Sequence, residues 1–284
     1  MNQATETDAK SHYNLVSDAW RFIFGDNFHF GYFRSDDMDL PEATNALIDE
    51  LAQLGTITKN SNLLDVGCGI GEPAIYLHEK HHCRITGITI SEKGVELATQ
   101  KCKERGYTHM VQFQLADALD NGFPSDNFDF VWQMESSHLI RDKGKLFLEN
   151  FRVLKNYGTM LLSDLILKRD LTVVEIYNYR RELRILEKSF GKVKMVTLKN
   201  YSQELKKTGF SEIETIDISK WVFPTLGHWQ NNITQNRKSI LKHFDEDNVS
   251  NFLLSCEILK DFFKDTILGY GLVKAKKVEK KSDE

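Results

Sequence analysis

Two rhythms of apolar and polar residues alternate along the chain. Leu63 to Val66, Arg84 to Ile90, Val111 to Leu115 and Phe128 to Trp132 are apolar-rich segments of strand length, too short for independent helices. Between strands, helical spacing takes over. Pro41 to Leu54 carries Ala43, Leu47, Leu51 and Leu54 along one face, with Pro41 near the first turn, where a missing N–H is tolerated. Glu72 to Lys80, Glu92 to Arg105 and Arg141 to Leu154 read as further helices, the second closed by Gly106. Strand-like runs return at Gly158 to Leu167, Ile213 to Ile218 and Leu268 to Ala275, with a helix over Tyr201 to Thr208 stopped by Gly209. Seven strands alternating with helices predict an α/β fold, Rossmann-like, with helices on both faces of the sheet. Helical additions interrupt this order before the first strand (Leu15, Val16, Ala19, Phe22 and Ile23 on one face), over Asp170 to Lys188, and from Trp221 to Lys264. Ligands of open α/β sheets bind beyond the carboxyl edge, so the additions are expected to meet there as a helical lid.

The sharpest local signal ends the first strand. Asp65-Val66-Gly67-Cys68-Gly69-Ile70-Gly71 breaks an apolar run into three alternating glycines and leads into a helix. Glycine permits positive φ and lets a ligand approach where a Cβ would stand, and the helix start offers unpaired N–H groups to a carboxylate. A dinucleotide site spaces its glycines G-x-G-x-x-G and places an acid about twenty residues on. Here the spacing is G-x-G-x-G and the second strand ends Thr89-Ile90-Ser91 without an acid, which disfavours a hydride-transfer cofactor.

The heptad resembles the D-x-G-C-G-x-G motif of class I S-adenosylmethionine-dependent methyltransferases. Phe123 to Trp132 is similar to the F-P-x-x-x-F-D-x-V-x stretch of the same family. His29-Phe30-Gly31-Tyr32 resembles the H-x-G-Y-W/F segment of quinone, tocopherol and natural-product members, and Tyr13-Asn14-Leu15-Val16 with Phe28-His29-Phe30 resembles the entry segment of sterol C-methyltransferases. The resemblance implies a seven-stranded methyltransferase sheet and a cofactor site built from Tyr13, Asp65, Gly67, Cys68, Gly69, Gly71, Thr89, Ile90, Asp117, Ala118 and Gln133. Asp117 would accept from the adenine amino group. Thr89 stands where most relatives carry the acid that binds the ribose hydroxyls, which leaves that contact open. His29, Tyr32, Phe33, Trp221 and Trp229 are the expected acceptor-pocket residues. The implied partition is a polar N-terminus over 1–10, a helical lid over 11–60 and a cofactor core over 61–167. Cap elements follow at 168–200 and 221–265, sheet completion at 201–220 and 266–275, and a charged tail at 276–284.

Composition narrows the partners. A net charge of −4 disfavours nucleic acid. Four cysteines without C-x-x-C spacing disfavour a zinc or redox site, so no metal is expected. With neither a signal-peptide pattern nor a run long enough to span a bilayer, the expected setting is cytoplasmic, as a monomer or homodimer acting on a small-molecule acceptor.

Methylation of oxygen or carbon also requires proton removal. His138, beyond the fourth strand, and Asp164, an acid inside the apolar fifth strand, are the expected base and its partner; relatives acting on sugar hydroxyls use this pair. Glu135 is a rival catalytic residue. If the acceptor were an alkene, Glu135 and the aromatics would stabilise a carbocation, and Arg180, Arg181 and Arg184 would hold a diphosphate or form a solvated helix face. A binding-only module of the same fold is the remaining alternative.

Overall fold

The computed structural model describes residues 20–278, opening in a helical segment over residues 20–24. Tyr13 and the polar N-terminus lie outside the described residues. The first full helix, α1 (Leu40–Gln53), starts at Asp39, whose carboxylate accepts the Glu42 N–H while Glu42 reaches back to the Asp39 N–H. This reciprocal cap satisfies two orphan donors and places Pro41 harmlessly in the first turn.

Strand and helix then alternate: β1 (Asn62–Val66), α2 (Glu72–His81), β2 (Arg84–Thr89), α3 (Glu92–Glu104), β3 (Val111–Leu115), β4 (Phe128–Met134), α4 (Lys143–Val153) and β5 (Leu154–Leu167). The first insertion is split at Tyr179 into α5 (Val173–Asn178) and α6 (Arg180–Phe190), followed by α7 (Leu198–Thr208) and β6 (Phe210–Asp217). The second insertion comprises α8 (Ser219–Val222), α9 (Thr225–Gln235), α10 (Arg237–Ile240) and the long α11 (Glu246–Lys264), before β7 (Leu268–Lys277).

The seven strands form one sheet in the order β3-β2-β1-β4-β5-β7-β6. β7 runs antiparallel between β5 and β6, and the β1 to β5 pairings are parallel. Period-two alternation divides the buried residues between two faces. Leu63, Trp132 and Leu161 face the side covered by α1, α2 and the inserted helices, whereas Leu64, Val131 and Leu162 face α4 and α7.

Two expectations about strand ends are corrected. β5 begins at Leu154, ahead of the expected Gly158. An irregularity with Tyr157 at φ 65° separates the Phe128–Leu154 pairing from the Phe130–Thr159 pairing, and that interruption hid the early pairing from the sequence pattern. β7 runs to Lys277, inside what reads as a solvated tail. The Lys277 side chain is buried, donating to Asp126 at 2.8 Å and the Leu154 carbonyl at 2.9 Å with its ammonium over the Phe151 ring. A long aliphatic stem lets lysine pack in this way.

Candidate active site

The glycine turn sits at the tip of β1. Gly67, Gly69 and Gly71 have φ values of 85°, 53° and 81°, a region costly for other residues. A Cβ at Gly67 would stand 2.3 Å from the Ser136 Cβ, and one at Gly71 would stand 2.6 Å from Ala98 and 2.7 Å from the Phe113 ring. At Gly69 a Cβ would meet nothing within 4 Å. The outer two positions are therefore fixed by packing, and the middle one borders open space. Gly71 is the N-cap of α2 and supplies no side-chain cap, so the first turn keeps donors for a ligand. The N–H groups of Gly67 and Cys68 both donate to the Ile88 carbonyl, tying the turn to β2.

Below the turn, Asp65 is buried, and burial pushes its carboxyl up to about 7. Its Oδ2 has no partner among the described residues, an orphaned acceptor under a glycine cradle. Cys68 is buried as well, with its thiol pushed up by that burial and held protonated. Thr89 ends β2, and its hydroxyl accepts the Ser91 N–H at 3.2 Å. Ile90 beside it is 40% exposed, an uncovered apolar surface at the carboxyl edge. At the tip of β3, Asp117 Oδ1 accepts the Leu119 N–H at 2.8 Å, which shapes the turn carrying Ala118 and commits only one carboxylate oxygen.

Two glycines missed in the sequence belong to this cradle. A Cβ at Gly94, in the first turn of α3, would lie 2.8 Å from the Gly69 carbonyl, and one at Gly87 would lie 2.6 Å from the Phe113 ring and 2.9 Å from the Cys68 Cβ. Their signal was a glycine inside a helical or strand pattern, which marks close backbone approach.

β4 and β5 bring the expected base and acid together. Met134 pairs with Ser163, so the residues just beyond each strand tip are neighbours. His138 lies in a single 3₁₀ turn, Ser137–Leu139. Its Nδ1 donates to Asp164 Oδ1 at 2.5 Å, and its backbone N–H donates to Asp164 Oδ2 at 2.8 Å. Ser137 Oγ donates to Asp164 Oδ2 at 2.5 Å and contacts the Tyr201 hydroxyl, and the Leu165 N–H donates to Asp164 Oδ1 at 2.8 Å. The Asp164 side chain is fully buried, whereas that of His138 is 12% exposed. Burial works against both charges, yet each partner outweighs it: Asp164 is held below its ordinary range and His138 above its own. With Nδ1 engaged, Nε2 is the ring's available acceptor.

Lys143 is the second omission. Its buried ammonium donates to the carbonyls of Ser137 and Ile140 at 2.5 Å each and of Lys194 at 3.1 Å. It thereby ties the histidine turn to the segment after α6. Burial lowers its pKa to about 8. Burying a lysine is costly unless its donors are met, and here three carbonyls meet them.

Glu135, just past the β4 tip, joins the lid segment to the last strand of the sheet. It adopts φ 46°, and its Oε1 accepts the Phe30 N–H at 2.8 Å and the Tyr270 hydroxyl at 2.7 Å. Burial raises its carboxyl to about 7, against the pull of those two donors. The carboxylate thus fastens the lid segment to the sheet. The Gln133 side chain is buried beside Asn150 of α4, whose Nδ2 donates to its Oε1 at 3.2 Å, while its Nε2 has no partner among the described residues.

The aromatic lid divides into an interior and a margin. Trp229 is buried edge-on against Phe24 and Phe30, each at 4.7 Å between centroids. His29 is buried with Nδ1 on the Phe30 carbonyl at 2.7 Å, and burial lowers its pKa to about 4, keeping it neutral. Phe33 is buried and stacked on His228 at 4.9 Å. All three are enclosed within the lid, where His29 Nε2 and Trp229 Nε1 have no hydrogen-bond partner among the described residues. Tyr32 and Trp221, half-buried and stacked at 5.4 Å, are the pair that retains accessible ring surface.

Comparison with known proteins speaks to the fold and the family. The family described as mycolic acid cyclopropane synthetase matches residues 1–269. The 27-O-demethylrifamycin SV methyltransferase of Amycolatopsis mediterranei is 30% identical over 98% of this chain and 99% of its own. The (+)-O-methylkolavelool synthase of Herpetosiphon aurantiacus is 26% identical over 84% and 83% respectively. A solved mycolic acid cyclopropane synthase complexed with SAH and CTAB superposes with a TM-score of 0.87 at 20% identity, covering 96% of this chain and 98% of the other, which bears out the fold. A glycine cradle over an orphaned acid, with family and relatives matched along nearly the whole chain, places this protein in the mycolic acid cyclopropane synthetase family of S-adenosylmethionine-dependent methyltransferases.

Proposed function

We propose that this small-molecule methyltransferase transfers its methyl group to a hydroxyl oxygen of a lipophilic acceptor, with His138 as general base. The observation that carries the reading is the buried His138–Asp164 pair at the joined tips of β4 and β5. The family's cofactor, S-adenosylmethionine, supplies an electrophilic methyl on a sulfonium when bound. Gly67, Gly69 and Gly71 with the α2 N-terminus would hold its amino-acid end, Thr89 and Ile90 the ribose, and Asp117 with Ala118 the adenine. Asp65, with its unpartnered Oδ2, would buttress the cradle.

The remaining work is alignment and proton transfer. Nε2 of His138 would take up the acceptor's hydroxyl proton, and Asp164 would stabilise the resulting imidazolium through Nδ1–H. Orientation of reacting groups is worth roughly 7–11 kcal/mol and a placed base about 10²–10⁴-fold. Tyr32 and Trp221 would line the acceptor site. The two relatives named above are an O-demethylrifamycin methyltransferase and an O-methylkolavelool synthase, which supports an oxygen acceptor. Free, buried cysteines accord with a reducing, cytoplasmic setting. The lid over 11–60 and the caps over 168–200 and 221–265 would select the acceptor above the core over 61–167.

The test is a screen with isotopically labelled cofactor against phenols, sugar hydroxyls and prenyl diphosphates. Label is expected on hydroxyl oxygens, and His138→Ala is expected to lower turnover by about 10²–10⁴-fold while S-adenosylhomocysteine affinity, measured by calorimetry, stays within about twofold. Label found only on alkene carbons, or full turnover in His138→Ala, would overturn the assignment.

A further inference from the structure

One surface of the cap is unused by the site. Eleven large apolar side chains are exposed among the described residues, and four of them fall within five consecutive positions: Val173 at 82%, Val174 at 67%, Ile176 at 48% and Tyr177 at 63%. Scattered exposed apolar residues carry no meaning, but a contiguous patch does. α5, which carries these four, buries none of its residues. It runs directly into α6, whose inner side packs on α11: Leu186 is buried, Phe190 lies 5.1 Å from Phe252, and Ser189 accepts from Ser255.

The other side of α6 carries Arg180, Arg181, Arg184 and Lys188 on one face by helical spacing. Together with Ile185 they line a hollow of about 250 Å³. Arg180 lies over the Tyr177 ring and donates to the Tyr177 carbonyl, whereas Arg181, Arg184 and Lys188 have no ion-pair partner among the described residues. Residues 180–194 hold six cations against two acids in a chain whose net charge is −4, so the local charge opposes the whole.

We infer that α5 and α6 form a docking surface for an anionic lipid bilayer: Val173, Val174, Ile176 and Tyr177 enter the acyl boundary, and the Arg181, Arg184 and Lys188 cations meet lipid phosphates. Basic side chains beside protruding aliphatics and a tyrosine are the chemistry of an interfacial segment. An acidic soluble partner would use the cations but has no need of two adjacent valines this far exposed. The segment after α6 is joined to the histidine turn, the Lys194 N–H donating to the His138 carbonyl at 2.7 Å, so docking would hold that turn near the phase in which a lipophilic molecule partitions.

Flotation of the full-length protein with vesicles tests the proposal. Association is expected with phosphatidylglycerol–phosphatidylcholine vesicles, weak with phosphatidylcholine alone, and reduced at about 0.5 M salt. Each surface cation contributes about fivefold to such partitioning, so R181A/R184A/K188A should bind roughly 100-fold more weakly. V173S/V174S/I176S should lose about tenfold or more with every cation intact. Thermal melting and S-adenosylhomocysteine binding are the fold controls and should not change. No association with anionic vesicles, equal association with neutral ones, or wild-type association in both variants would overturn the proposal. Capture of a purified acidic carrier protein without vesicle binding would reassign the surface to a protein partner and overturn it equally.

Discussion

At the scale of single residues, the pairing of His138 with Asp164 fixes a pH dependence. The base must be neutral at Nε2, and Asp164 raises the ring's pKa above its ordinary value despite burial. Turnover is therefore expected to rise with pH through that raised value. Asp164→Asn removes the charge that holds the ring protonated, so the rising limb should move to lower pH while the plateau rate falls, since the asparagine stabilises the imidazolium less. A rate–pH profile of the variant checks both movements, and a limb that stays in place would detach Asp164 from the base. Asp164 stood out in the sequence because an acid inside an apolar strand is anomalous, whereas His138 was singled out by its place at a strand tip and by the family resemblance. Lys143 was not, because a lysine opening a helix looks solvated until the carbonyls around it are known.

At the scale of elements, the glycine turn separates two kinds of requirement. Gly67 is needed by the protein, since a Cβ there meets Ser136 at 2.3 Å in a positive-φ conformation. Gly69 borders empty space, so its small size serves whatever enters. Gly67→Ala is expected to lower stability by about 2 kcal/mol or more. Gly69→Ala should cost roughly 1 kcal/mol of stability yet weaken S-adenosylhomocysteine binding at least about tenfold. Urea unfolding and calorimetry on the two variants distinguish these outcomes; equal stability losses with unaltered binding in Gly69→Ala would contradict the assignment. The turn and the strand order were readable because glycine spacing and period-two patterning are local. The division of the aromatics was not. Phe33, Trp229 and His29 look like a pocket wall in one dimension, and only the packing of α9 beneath residues 24–33 shows that they form an interior.

At the scale of the whole molecule, Glu135 links three distant parts of the chain: the β4 tip, the lid at Phe30 and the final strand at Tyr270. Its folded pKa, about 7, lies above the ordinary 4.5. The folded state therefore holds an extra proton between those values, and stability declines as pH rises through about 7. Glu135→Gln keeps an acceptor oxygen without the ionisation, so the decline between about pH 5 and 8 should shrink by about 2–3 kcal/mol, as measured by urea unfolding across that range. Asp65 titrates in the same direction and would leave a residual slope. The Tyr270 contact also orders events in time. The oxygen that secures Phe30 is itself secured by the strand synthesised after the other six of the sheet, wedged antiparallel between two earlier ones. A nascent chain could assemble the glycine turn and the His138–Asp164 pair well before its roof is fastened, so a product truncated short of Tyr270 would carry every reactive group and still leave them open to water.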